Sequence, residues 1–250
     1  MAEIDFNCDL GEGCGEDAAI LPSISSASIA CGMHAGDPST MEATIALCLA
    51  HGVAIGAHPG YPDREHFGRR DLDLRSAELR ATLVYQLGAL QALVRAAGGR
   101  LQHVKPHGAL YNRAAVDRTT ADVVVDAVHA VDPSLRLYAL AGSRLAEAGR
   151  EAGLAVVEEA FVERRYEADG TLAARSRDDA VIDDVEEAAE QALSILRQGQ
   201  VRARTGELVE VRAQTLCLHG DRPDAARFAA RLRTALESAG HRVKAPAART

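Results

Sequence analysis

The chain has 250 residues, 47% of them hydrophobic, and a net charge of −8; that is enough for a real core and for one βα barrel, which typically needs about 250 residues. The acidic balance argues against nucleic acid or an anionic membrane as a main partner, since both are met with basic patches. Five cysteines without a CxxC pair argue against a disulfide framework or a zinc knuckle, and no leader pattern or run of 18 apolar residues is visible, so the expectation is a soluble cytoplasmic protein.

In chain order, seven apolar runs read as strands: 3–9 (EIDFNCD), 26–32, 53–58, 101–107, 135–142, 154–161 and 214–220. Asp37-Pro38 opens a helix that runs to His51 and stops at Gly52. Ser76 is placed to cap the next, in which Leu79, Leu83, Leu87, Leu90 and Val94 share one face and which Gly98-Gly99 ends. Residues 119–131, 183–198 and 223–239 supply further helices. Turns at Asp169-Gly170 and Thr205-Gly206 mark hairpin insertions near 162–180 and 201–212, and 241–250 reads as a tail. Nothing linker-like divides the chain, so a single domain over 1–250 is expected. Strand–helix alternation implies a parallel α/β sheet. Polar clusters follow nearly every strand, and no G-x-G-x-x-G follows the first; both favour an irregular seven-stranded (β/α) barrel over an open doubly wound sheet.

In such barrels chemistry sits at the C-terminal ends of the strands. Here those ends carry Asn7, Asp9 and Glu12; His34 and Asp37; His58, then Arg69 and Arg70; Lys105 and His107, then Tyr111 and Asn112; Glu163 and Arg164; and His219 with Asp221. Singly, each has a structural explanation; Asp37, for example, is explained by a helix cap. Together, four His-Gly corners (MHAGD, AHPGY, PHGAL, LHGD) predict convergence on one mouth. Histidines with carboxylates there would either hold a divalent metal, with Asp9, His58 and His107 as candidate ligands, or act as acids and bases without one. No HExxH decides between them. Arg69-Arg70 suits a carboxylate or phosphate. His103 reads as structural, and His51, His66, His129 and His241 as surface or helix residues. Lys105 is the only lysine besides Lys244. Its compact ammonium suits a point contact to one substrate oxygen; the alternative is an ion pair with a buried carboxylate such as Asp9.

The blocks FNCDLGE, IACGMHAGDP, VAIGAHPGYPD, FGRR, HVKPHGALYN, EAFVERRY and CLHGD resemble, in order, the signature blocks of the family formed by the A subunits of 5-oxoprolinase, the LamB/YcsF lactam-utilisation family, over residues 5 to 240. Val162-Glu163, Ser28 and Met33 depart from the family pattern, where Ala-Asp, Asn and an aromatic residue are expected. The resemblance implies a barrel like those of polysaccharide deacetylases. It implies ATP-dependent opening of 5-oxo-L-proline to L-glutamate in a complex with 5-oxoprolinase subunits B and C. On this reading Asp9, Glu12, Lys105 and His107 are catalytic. Asn7, His34, His58, Arg69, Arg70, Tyr111, Asn112 and His219 bind substrate or phosphate. ATP would enter as a co-substrate with Mg2+, and no tightly bound metal is expected. The chain has no G-x-x-x-x-G-K-[ST], so ATP would bind in another mode, partly on the partner subunits. Two other functions fit the same barrel: a stand-alone metal-dependent deacetylase or amidase, and a non-catalytic ligand-binding scaffold.

Overall fold

β1 (Ala2–Leu10) alternates Ile4, Phe6, Cys8 and Leu10 with Asp5, Asn7 and Asp9, and all seven are buried. Successive side chains of a strand point to opposite faces. The apolar set packs into the hydrophobic core, and the polar set points into the interior of a barrel. The computed structural model describes residues 2–14 and 17–247. β2 (Ser26–Ala30), β3 (Ala54–His58), β4 (Leu101–Val104), β5 (Arg136–Leu140), β6 (Ala155–Phe161) and β9 (Thr215–His219) follow round from β1. β9 pairs back onto β1, which closes the expected ring of seven parallel strands.

Among the described residues, three short strands lie outside the ring. β7 (Gln200–Arg202) and β8 (Leu208–Glu210) form an antiparallel hairpin. β10 (His241–Val243) pairs with Ala2–Ile4 of β1, and the Lys244 N–H donates to Ile4 O at 2.9 Å. The segment expected from sequence to be a tail therefore contributes a strand. The reason is that β9 reaches β1 only from Asp5 onward, leaving the first residues of β1 an open edge for β10 to take.

The helices are α1 (Asp17–Ile20), α2 (Pro38–His51), α3 (Ser76–Ala96), α4 (Gly108–Val116), α5 (Arg118–Val131), α6 (Arg144–Glu151), α7 (Val185–Gln198) and α8 (Ala225–Ser238). Asp37 caps α2 by accepting from Thr40 N–H at 2.8 Å, and Gly52 ends it at φ 66°. The predicted apolar face of α3 is buried, but Ser76 lies inside the helix and Arg75 occupies the cap position without a side-chain bond. The short helices α1, α4 and α6 are not predicted from sequence, since they span too few turns for periodicity to show. Among the described residues no helix is long and apolar enough to cross a membrane.

Candidate functional site

The polar interior of the barrel is layered. At its N-terminal end Asp5 accepts from Ser25, Ser26 and Thr215 hydroxyls, each at 2.7 Å, and from Tyr138 at 2.9 Å. Burial raises the Asp5 carboxyl pKa, and the hydroxyls oppose that rise. His103 stacks on Tyr138 with centroids 4.1 Å apart. Gly56 makes room for it: a Cβ there would lie 2.0 Å from His103 Nε2.

One layer up, Lys105 Nζ lies 2.8 Å from Asp9 Oδ1, 3.1 Å from Glu159 Oε1, 3.1 Å from Asn7 Oδ1 and 2.9 Å from Cys217 Sγ. Four protein atoms thus surround an ammonium with only three N–H groups, and the residue is 1% exposed. Burial pulls its pKa down, but Asp9, Cys217 and Glu159 outweigh it and hold it well above the usual lysine value. Lys105 is a fixed cation, hydrogen-bonded to Asn7 and Cys217 and ion-paired with Asp9 and Glu159. Asn7 and Tyr111 belong to this cage too: Asn7 Nδ2 donates to Glu159 Oε1 and Tyr111 OH to Glu159 Oε2, both at 2.8 Å.

The uppermost layer is a histidine–carboxylate cluster. His58 Nε2 is 3.3 Å from Asp9 Oδ2 and 3.0 Å from His107 Nδ1. Glu12 Oε1 lies 3.4 Å from His107 Nδ1 and 3.3 Å from His34 Nε2. His34 and His107 stack at 3.7 Å. Glycines let the loops close on these rings: a Cβ at Gly60, in the AHPGY corner, would lie 2.9 Å from His34 Nδ1. Gly68, at φ 63°, brings backbone against the stack, where a Cβ would come within 2.7 Å of His34 Cβ. Gln86 of α3 pins the HPGY loop, exchanging bonds of 2.8 and 3.0 Å with Gly60. Phe67, at φ 54°, occupies a strained region for a non-glycine residue and presents its carbonyl to His107.

Those carbonyls fix the tautomers. His58 Nδ1–H donates to Lys105 O at 2.7 Å, and His107 Nε2–H donates to Phe67 O at 2.8 Å. In the neutral rings, His58 Nε2 and His107 Nδ1 therefore face each other as lone pairs. Burial drives His34 and His107 well below the usual histidine range. Burial also pushes Asp9 upward, but His58, when it carries the proton of the cluster, and the Lys105 ammonium prevail and hold it well below the carboxylate range. Burial and the neighbouring Asp9 raise Glu12 well above that range. Lone pairs this close need a shared proton or a cation. One ligand atom each from Glu12, His34, His58 and His107 falls within 4.8 Å of the others. Three of the contacts among them, at 3.0–3.4 Å, approach the edge of roughly 3.3 Å that a tetrahedral ion with 2.0–2.1 Å bonds would require, while the set as a whole is bounded only at 4.8 Å. A divalent cation held here would need the His34 or His107 ring to turn out of the parallel stack, and the nitrogen-rich composition suits zinc better than magnesium.

A cavity of about 710 Å3 opens over this end of the barrel, with Asp9, His58, His107 and His219 in its wall alongside Lys105, Tyr111, Asn112 and Arg69. Glu12 and His34 are not in the wall, Asn7 lies below it, and Arg70 is turned outward onto Asp63 at 3.4 Å. His219 Nδ1 is hydrogen-bonded to the Glu163 carboxylate, which leaves Nε2 for the cavity. Burial pushes Glu163 up to about 7. Sequence reasoning places Glu163 and Arg164 at a strand end without giving them a role, and it misses Glu159, Cys217 and Arg175. The strict alternation of β1 is the available signal that this barrel has a polar interior.

The LamB/YcsF family model matches residues 4–250. The chain is 54% identical over 245 residues to the 5-oxoprolinase A subunit of Neisseria meningitidis serogroup A and equally to that of serogroup B, covering 98% of this chain and 100% of each relative. It superposes on the crystal structure of a lactam utilization protein from Thermus thermophilus with a TM-score of 0.91 at 48% identity, covering 98% of this chain and 100% of that one.

Proposed function

Since the chain belongs to the LamB/YcsF family, we propose that it works as the A component of an ATP-dependent 5-oxoprolinase, opening 5-oxo-L-proline to L-glutamate together with subunits B and C. The observation that carries the reading is the convergence of Asp9, His58, His107 and the Glu163–His219 pair on one cavity of about 710 Å3, a volume ordinary for small-molecule sites.

A lactam carbonyl is a poor electrophile. Transfer of the ATP γ-phosphoryl group to its oxygen activates the ring carbon. Water adds to that carbon while its proton passes to the Asp9 carboxylate. The carbon–nitrogen bond then breaks as the nitrogen takes a proton from His219 Nε2, while Glu163, which holds a proton up to about pH 7, passes it to His219 Nδ1. The resulting acyl phosphate gives glutamate and phosphate on attack by a second water. Lys105 contacts no substrate in this scheme; it fixes Asp9 and keeps it ionised. A divalent cation held by Glu12, His34, His58 and His107 would supply Lewis acidity beside Asp9. Mg2+ would accompany ATP.

The test is glutamate formation from 5-oxo-L-proline by the purified chain, with and without ATP and subunits B and C. Turnover is expected only when ATP and the partners are both present. Turnover by the lone chain without ATP would overturn the reading in favour of the stand-alone amidase.

A further inference from the structure

Among the described residues, one cation in the cavity wall has no counter-ion. Arg164 is 3% exposed and lines the cavity. Among the described residues its hydrogen-bond acceptors are backbone carbonyls alone: Ala173 O, 2.5 Å from Nη2, and Ala180 O, 3.4 Å from Nε. Its neighbour Glu163 is committed to His219. The other cations of the wall are accounted for. Lys105 faces Asp9 and Glu159, and Arg113 faces Asp71 at 3.1 Å. Arg69 and Arg175 share one carboxylate, Asp221, which Arg175 meets at 3.5 Å. One side of the mouth therefore holds three guanidinium groups for one carboxylate, in a chain whose net charge is −8.

A buried charge without a partner is strongly unfavourable unless something compensates it. Carbonyl dipoles compensate in part, and they also aim the fork. Arg164 pairs with Val181 across the insertion that follows β6, and its own carbonyl accepts from Gln191 Nε2 at 3.0 Å. The guanidinium is thus held ready at the cavity, the arrangement that favours bidentate recognition of a planar carboxylate or a phosphoryl group.

We propose that Arg164, seconded by Arg175, forms the oxyanion subsite of this cavity and takes a carboxylate or phosphoryl group of the bound reactant. The proposal rests on the lactam reading only for the identity of that anion: the substrate's own carboxylate, or the phosphoryl group that ATP delivers. Calorimetric titration of the chain, alone and with subunits B and C, separates these sources with three probes: inorganic phosphate, 5-oxo-L-proline, and its neutral carboxamide. Binding of the acid but not the carboxamide identifies the carboxylate; binding of phosphate identifies the phosphoryl group.

In either case Arg164→Gln is expected to weaken the anion by about tenfold to a hundredfold, the range for a lost charge-assisted contact. Arg175→Gln should weaken it less, and the remote surface variant Arg118→Gln not at all. Arg164→Lys keeps the charge and loses the fork; it should also bind more weakly than wild type, and it serves if the glutamine variant does not fold. Unchanged anion affinity in folded Arg164 variants, or no anion binding by wild type, would overturn the subsite. Arg164-dependent phosphate binding without any 5-oxoproline turnover would uphold the subsite and sink the lactam reading instead.

Discussion

Asp5 and Asp9 sit four residues apart on one face of β1, at 2% and 3% exposure, and the barrel treats them in opposite ways. Asp5 is surrounded by four neutral hydroxyl donors and no cation. Its pKa is raised by burial, and its lone pairs are filled from within the protein. Asp9 meets Lys105 on one side and His58 on the other, and its pKa is lowered despite burial. The contrast shows that depth alone does not make a carboxylate reactive. Neutral donors bury a carboxylate quietly, whereas a fixed cation keeps it charged beside histidines whose lone pairs remain open.

The largest expected effect breaks the upper arrangement at its cation. Lys105→Met keeps the chain length but leaves Asp9 and Glu159 facing each other without a positive charge. Removing one member of a buried ion pair costs about 3–5 kcal/mol, so the urea midpoint should fall steeply. Lys105→Arg is also expected to lose stability, by about 1–3 kcal/mol from overpacking, because the cage has no room for a guanidinium. A normal midpoint in Lys105→Met would remove the cage from the account.

Next in size is a pH effect. Glu163 is raised from 4.5 to about 7 in the fold. Below the lower value both folded and unfolded states are protonated. As pH rises toward the upper value only the unfolded state gives up its proton, so stability falls by about 3 kcal/mol over that window and then levels off. Glu163→Gln should flatten this decline between pH 5 and 8 in chemical denaturation. Parallel curves for the two proteins would contradict the assignment.

A third expectation concerns metal. Zinc titrated into the chain should bind with one equivalent, and Glu12→Gln or His34→Ala should weaken it at least about tenfold. Asp5→Asn should leave zinc binding unchanged. Equal binding by the ligand variants would leave a shared proton as the occupant of the cluster. The smallest effect tests the lower layer: Asp5→Asn should cost only about 1 kcal/mol, because its hydroxyl neighbours can rotate to accept from the new amide.

The ring of strands is legible because each carries a short apolar run bounded by glycine and polar residues, and α2 because Asp37, Pro38 and Gly52 punctuate it. Ser76 misleads because it is already the first helical residue; the cap position, with extended backbone, falls to Arg75, whose side chain makes no cap bond. At the site, the His-Gly corners locate the mouth. What sequence does not supply is the partner of each group. The compact ammonium of Lys105 suggests a reach to a substrate oxygen, but the sequence does not show that Glu159, distant in sequence, and Cys217 also surround it. Arg164 is indistinguishable from its neighbour Arg165 in EAFVERRY; only the buried placement of one and the ion pair of Arg165 with Glu187 at 2.7 Å separate them.

The central claim is that Asp9, and not Asp5, carries the chemistry. The direct measurement is glutamate formation from 5-oxo-L-proline and ATP by the complex of this chain with subunits B and C, reassembled in turn with Asp9→Asn and with Asp5→Asn. The expected result is a loss of about a hundredfold to ten-thousandfold in kcat for Asp9→Asn, the usual contribution of a positioned acid–base group, with the complex intact and near-normal turnover for Asp5→Asn. Equal turnover in the two variants would contradict the account.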